Sequence, residues 1–301
     1  MPRYAGLLPL MLFVSACSDG DGSPQNESAE AFSAQVSEAT HPPDKAVASR
    51  DGVIIFYDDR GSSDQAIVFV HGWNCDRDYW QLQRDYFAED YRVISIDLAG
   101  HGQSAHNRSQ WSIVAFADDV AAVVRKLDLT DVTLVGHSMG GLVVLEAAVQ
   151  LGERVTRVVG VDTLRDADER FSDKRLDALV DALETDYAAT VVDFAKSMFV
   201  DASHARVRDF VVRDMAAGPP DVAIGSLIAF AQYNPMSAID ALQVPFSLIN
   251  SDYEETDVDV IAGRVRDFQF IEVSDVGHFI MLEDPVAFTN HLNAILNHRK
   301  R

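Results

Sequence analysis

The stretch Gly136-His137-Ser138-Met139-Gly140 places a serine between an apolar run, "VTLV", and a helix-forming run, "LVVLEAAV". A serine hydroxyl is a poor nucleophile at neutral pH. Acyl transfer through it needs a base to take the proton, a group to orient that base, and N–H donors where an oxyanion forms. The Gly-x-Ser-x-Gly spacing suits the first part, because glycines two before and two after remove side chains that would collide in a tight turn presenting the hydroxyl. Gly141 extends the small-residue patch and allows the following helix to approach a sheet closely. A phosphate-cradling glycine loop is the competing chemistry, but it would use a lysine that this stretch lacks. A purely structural serine stays the alternative until a base is identified.

The elements that must position Ser138 follow from periodicity. Short apolar runs end in Gly, Asp or Asn and are followed by helical patterns, as in a parallel sheet buried on both faces. They are "AIVFV" (66–70), "YRVISID" (91–97), "VTLVGHS" (132–138), "VTRVVGVD" (155–162), "PFSLINSD" (245–252) and "FQFIEVSD" (268–275). Before them, "AVASRDGVIIFYDD" reads as a hairpin around Asp51 and Gly52 that adds antiparallel edge strands. The run "SQWSIVAFADDVAAVVRKLDL" carries a helical apolar stripe through Ile113, Phe116, Val120, Val123, Val124 and Leu127. A last helix is expected from Pro285, with proline in its first turn. Residues 164–235 hold helical patterns and no convincing strand, with a break at "AAGPPD". They read as a helical lid inserted after strand six, leaving 46–163 and 236–301 as the core.

With these elements in place, "VFVHGW", "VISIDLAGHGQS", "LVGHSMGG" and "DVGHFIMLEDP", in that order, make the chain similar to the α/β-hydrolase superfamily from about residue 46 onward. The resemblance implies an α/β fold with a mostly parallel central sheet, helices on both faces and a variable lid. It places the nucleophile at Ser138 and the base at His278, and assigns the oxyanion donors to the backbone N–H groups of Met139 and Trp73. A helix opening at Met139 adds a favourable dipole for the anion. His71 and His137 are expected to shape turns, His101 and His106 fall in the loop after strand four, and His291 and His298 on the terminal helix face solvent. The acid departs from the common pattern. Ser251 stands where a glycine usually follows strand seven, which would put Glu254 in the acid position. Asp252 lies on the same loop, and some relatives carry the acid after strand six, at Asp162 here. Asp252 is preferred to Asp162, and Glu254 stands third. Asp97 matches a recurrent structural aspartate.

The 301 residues, 48% hydrophobic and 24% charged, suffice for one large core. A net charge of −22 argues against a nucleic-acid partner. Residues 1–17, "MPRYAGLLPLMLFVSAC", put Arg3 before an apolar stretch too short to span a bilayer, as in an export signal. Its end resembles the lipobox of bacterial lipoproteins, which implies lipidation of Cys17, and Ser18 in that setting implies release to the outer membrane. Residues 18–45 are polar and aperiodic and read as a disordered tether spanning on the order of 30 Å. Cys75, the other of the two cysteines, then has no partner in the chain. It lies in a polar loop without a flanking histidine and is a poor candidate nucleophile. No histidines are spaced for zinc, and neither metal nor cofactor is implied. The function expected is hydrolysis of small-molecule carboxylic esters through an acyl-enzyme. Carbon–carbon bond hydrolysis, lactone hydrolysis and perhydrolysis use the same triad, and a triad-bearing small-molecule sensor or binding protein is the alternative of a different class.

Overall fold

A computed structural model describes residues 45–167, 172–201 and 203–298. The expected signal segment, Cys17 and the tether as far as residue 44 lie outside the described residues, and Lys45 already belongs to the first strand. In chain order the core begins with β1 (Lys45–Ala48), β2 (Ile54–Arg60), β3 (Gln65–Val70), α1 (Gln81–Phe87), β4 (Arg92–Ile96), α2 (Ile113–Lys126), β5 (Asp131–His137), α3 (Met139–Leu151) and β6 (Val155–Val161). Four helices follow: α4 (Asp173–Thr185), α5 (Tyr187–Ser197), α6 (Ala205–Ala216) and α7 (Pro220–Gln232). The core resumes with α8 (Met236–Ala241), β7 (Phe246–Ser251), α9 (Asp259–Ala262), β8 (Phe268–Val273), α10 (Ile280–Glu283) and α11 (Pro285–Asn297).

The eight strands form one sheet in the order β1-β2-β4-β3-β5-β6-β7-β8. β1 and β2 form the expected hairpin, β2 runs antiparallel to β4, and the remaining pairs are parallel. Strand periodicity sends alternate residues to opposite faces. Val68, Val70 and Leu134 join the core beneath α2 and α3, while Ile67, Phe69 and Val135 join a second core with Trp80, Phe87 and Phe288. On α2, Ile113, Phe116, Val120, Val123 and Val124 are buried as the stripe required, with Ser112 accepting from the Ala115 N–H as N-cap.

The inserted helices share the second hydrophobic core through Leu183, Val191, Val207 and Val211. The helical pattern at 175–199 divides into α4 and α5 at Asp186, whose carboxylate accepts from the Ala189 N–H and so starts a new helix. Among the described residues, no helix is long and apolar enough to cross a membrane.

Two buried aspartates tie loops to this frame. Asp97 accepts from the backbone N–H groups of Arg77 and Gln103 and from the Arg77 guanidinium, which locks the loops after β3 and β4 together. Burial raises its carboxyl to about 6, against the pull of Arg77. Asp119 on α2 takes a two-pronged ion pair from Arg108, with N–O distances of 2.6 and 3.1 Å, and also accepts from Ser49 Oγ and the Ala99 N–H. Both side chains are buried. Removing one partner of such a pair leaves an uncompensated charge in the core. Arg108→Met is therefore expected to cost about 3–5 kcal/mol of stability in urea unfolding, and a loss below about 1 kcal/mol would mean that Asp119 finds water or another cation.

Candidate active site

Ser138 sits between β5 and α3 with φ 53° and ψ −120°, a left-handed conformation that costs a non-glycine residue on the order of 1–3 kcal/mol. The surroundings hold it there. Its N–H donates to Val161 O at the tip of β6, and its carbonyl accepts from the Gly141 N–H and from Thr163 Oγ1, at 2.8–2.9 Å. The two flanking glycines are sterically required. A Cβ on Gly136 would lie 2.1 Å from Gly140 O, and one on Gly140 would lie 2.4 Å from His71 O. The strand, the turn and the loop after β3 thus meet backbone to backbone.

That loop carries His71, Gly72 and Trp73. His71 is fully buried, its Nε2 accepts from the Leu98 N–H and its Nδ1 donates to Gly72 O, and burial holds the ring neutral. A Cβ on Gly72 would come within 3.2 Å of Ser138 Cβ, so the Trp73 N–H follows directly on a contact with the serine. Met139 opens α3, and the first N–H groups of a helix have no partner within it. The Trp73 side chain lines the cavity and also reaches the lid, where its Nε1 donates to Ala223 O at 2.8 Å. Asn74 donates to Tyr187 Oη and Met215 O, which are also in the lid. The loop that carries Trp73 and Asn74 is therefore held by the lid as well as by the sheet.

His278 lies after β8. Its N–H donates to Met198 O, its carbonyl accepts from His137 Nε2, and the N–H groups of Gly277 and Phe279 on either side both donate to the Glu283 carboxylate. His137 is kept neutral by burial, with its value pushed down to about 3. With its backbone fixed, the His278 imidazole directs Nδ1 at Asp162 Oδ2, 2.5 Å away. In this tautomer Nε2 is an acceptor, and His278 and Ser138 both line a cavity of about 530 Å³.

The imidazole thus meets Asp162 and not Asp252. Asp252 is exposed, and its carboxylate accepts from the Asp275 N–H on the loop after β8. Glu254 is also exposed, with Oε2 3.9 Å from Arg165 Nε. The physical reason is the residue that ends β7. The Ser251 N–H and hydroxyl both donate to Asp162 Oδ1, at 2.7 and 2.9 Å, and Arg165 Nη2 joins them at 2.6 Å. Burial would raise the Asp162 carboxyl, but the His278 hydrogen bond and charge, with Arg165, hold it down at about 2.

Cys75 also lines the cavity, but its Sγ donates to Trp73 O and burial pushes the thiol well up, so it is not a thiolate. His101 is buried near Phe116, and burial lowers it to about 4. His106 is exposed, His291 half-buried and His298 exposed. The cavity is walled by Met139, Leu142, Phe194, Met198, Met215 and Phe230, with Arg165, Asp166, Arg175 and Glu254 as its further charged groups. Arg165 and Ser251 are absent from the sequence-derived candidates. An arginine three residues after Asp162, together with a serine in place of glycine, was the available signal.

The model of the alpha/beta hydrolase fold family matches residues 65–285, and the chain belongs to that family. It is 46% identical over 94 residues to non-heme chloroperoxidase CPO-A1 of Kitasatospora aureofaciens, covering 31% of this chain and 34% of that protein. It is 42% identical over 97 residues to the bifunctional esterase/perhydrolase DCH of Acinetobacter calcoaceticus, covering 32% and 35%. These matches span about a third of each relative's length. Among solved structures, an esterase from Exiguobacterium antarcticum superposes with a TM-score of 0.77 at 21% identity, covering 84% of this chain and 98% of the other. A bromoperoxidase from Bacillus anthracis gives 0.76 at 21% identity, covering 84% and 99%. At these identities the superpositions establish the shared fold.

The depressed Asp162 carboxyl links stability to pH. A group whose folded-state value falls below its unfolded value of 3.8 contributes stability above that pH and loses it as pH falls toward about 2. Relative to Asp162→Asn, the native protein should lose about 2 kcal/mol over that window. Urea midpoints for the two proteins between pH 5 and pH 2 measure this, and parallel curves would show that the anion is not selectively stabilised in the fold.

Proposed function

We propose that the protein is a serine hydrolase acting on small-molecule carboxylic esters, with Ser138 as nucleophile, His278 as base and Asp162 as the orienting acid. The observation that carries this reading is the Nδ1–Oδ2 pairing of His278 with Asp162 beside a serine held in a left-handed turn on the same cavity. Nε2 of His278 takes the Ser138 proton as Oγ adds to the ester carbonyl. The Met139 and Trp73 N–H groups receive the oxyanion, and the protonated imidazole gives its proton to the departing alkoxide. Water, deprotonated by the same nitrogen, then releases the acid from the acyl-enzyme. Asp162 stays ionised throughout and stabilises the imidazolium. Helix α3, opening at Met139, adds its positive end to the oxyanion site.

Similarity to the esterase/perhydrolase of Acinetobacter calcoaceticus favours a second reading, in which hydrogen peroxide replaces water in the deacylation step and a peracid is released. Carbon–carbon bond cleavage and lactone opening would use the same residues, and a sensor would keep them without turnover. In the full chain, residues 164–235 act as the lid that sets acyl size. The chain is proposed to be exported and anchored to the bacterial outer membrane through lipid on Cys17, after removal of residues 1–16, with 18–44 as tether. A Cys17→Ser chain that still fractionates with membranes would overturn the anchor.

A fluorophosphonate should label Ser138 covalently, and Ser138→Ala should abolish labelling and lower ester turnover by roughly four to six powers of ten. Asp162→Ala should cost about four powers of ten, whereas Asp252→Ala and Glu254→Ala stay within about threefold of the native rate, because neither carboxylate touches the imidazole. A native protein that resists the fluorophosphonate, or a Ser138→Ala variant with near-normal turnover, removes the nucleophile assignment.

A further inference from the structure

The loop after β6 turns back on itself. Asp162 and Leu164 both have positive φ, 46° and 52°, and the result is that Arg165 folds over the carboxylate three residues before it. Its guanidinium spends its donors on the tips of two strands: Nη2 on Asp162 Oδ1 at 2.6 Å and Ser251 Oγ at 2.8 Å, Nη1 on Ser251 O at 3.2 Å and on Glu254 O. The ring of Tyr253 lies against it, 5.8 Å from centroid to Cζ. The Asp162 side chain is fully buried and that of Arg165 is 14% exposed. The carboxylate is thereby divided: Oδ1 is occupied by Ser251 and Arg165, and Oδ2 is left for the imidazole.

The geometry points to Arg165 as a positioning residue for the triad, one that acts through Asp162: it locks the carboxylate so that only Oδ2 faces His278, and its charge moderates the negative field under which the base is protonated. This rests on the triad reading given above. The physical basis is that a cation within hydrogen-bond distance of a carboxylate partly cancels the field that the carboxylate exerts on a third group. Without Arg165, the imidazolium would face an unbalanced Asp162 anion.

The other groups around the pair would remain in every variant. They are the Glu254 carboxylate beside Arg165, the Tyr253 phenol, the neutral His137 ring 4.6 Å from that of His278, and Glu283 behind the His278 backbone. Asp252 and Asp275 lie together on the outer loops, and Asp166 and Arg175 line the cavity.

The test is a pH–rate profile for 4-nitrophenyl butyrate hydrolysis by Arg165→Met, Arg165→Gln and Arg165→Lys, with thermal melts to establish folding. Arg165→Met should lower kcat about 10- to 100-fold with KM within about twofold, and shift the acid limb of kcat/KM upward by about one pH unit. Arg165→Gln, which keeps a donor but no charge, should shift the limb equally and recover part of kcat. Arg165→Lys, which keeps the charge but not the fork, should leave the limb in place. If Arg165→Met does not fold, the contrast between the Gln and Lys variants decides the matter. Folded variants whose acid limb matches the native one would overturn the inference, and so would a rise in KM with kcat intact, since Arg165 would then touch the substrate. Native protein that neither turns over the ester nor reacts with a fluorophosphonate fails the triad reading instead.

Discussion

At the carboxyl edge of the sheet, a serine is held in backbone geometry that L-residues avoid, and the neighbouring elements must fit around that turn. Holding Ser138 at positive φ requires the Val161 carbonyl above its N–H and the Thr163 hydroxyl and Gly141 N–H on its carbonyl. It also requires Gly136 and Gly140 to let β5, α3 and the loop after β3 touch through bare backbone. The strain is local and on the order of 1–3 kcal/mol, whereas the restraint is distributed over three elements in the densely packed centre of the sheet. A backbone so fixed cannot relax out of the turn.

The same economy of position explains why Asp162 is the carboxylate that meets His278. β5 and β6 are parallel neighbours, with Gly136 opposite Gly160, so residues just beyond their ends lie side by side. Ser138 and Asp162 both follow those ends, and Ser138 even takes its backbone partner from Val161. Asp162 is directed at His278, and the carboxylates of the loop after β7 face elsewhere. Ser251, the last residue of β7, supplies two donors that hold the Asp162 carboxylate still.

The lid helices are structural partners of the site. Trp73 and Asn74 reach Ala223, Tyr187 and Met215, and the His278 backbone leans on Met198 O. Glu283 bridges the N–H groups flanking His278 and also accepts from Ser203 Oγ in the lid. Two buried histidines, His71 and His137, are kept neutral by desolvation, so neither ring adds positive charge beside His278.

Features that depend on short-range spacing were legible in the chain of residues. Short continuous apolar runs defined the strands, the stripe from Ile113 to Leu127 defined α2, and glycines two residues on either side of Ser138 marked the turn, because sterics and burial within a few residues dictate each of these. His278 was legible through its place after the last strand. The carboxylate that it meets was not, because Asp162, Asp252 and Glu254 all follow strand ends and nothing in the string separates them. Only the tertiary structure chose among them. The choice depended on contacts from Ser251 and His278, 89 and 116 residues from Asp162 in sequence, whose directions are set by the register of β6 against β7 and the twist of the whole sheet.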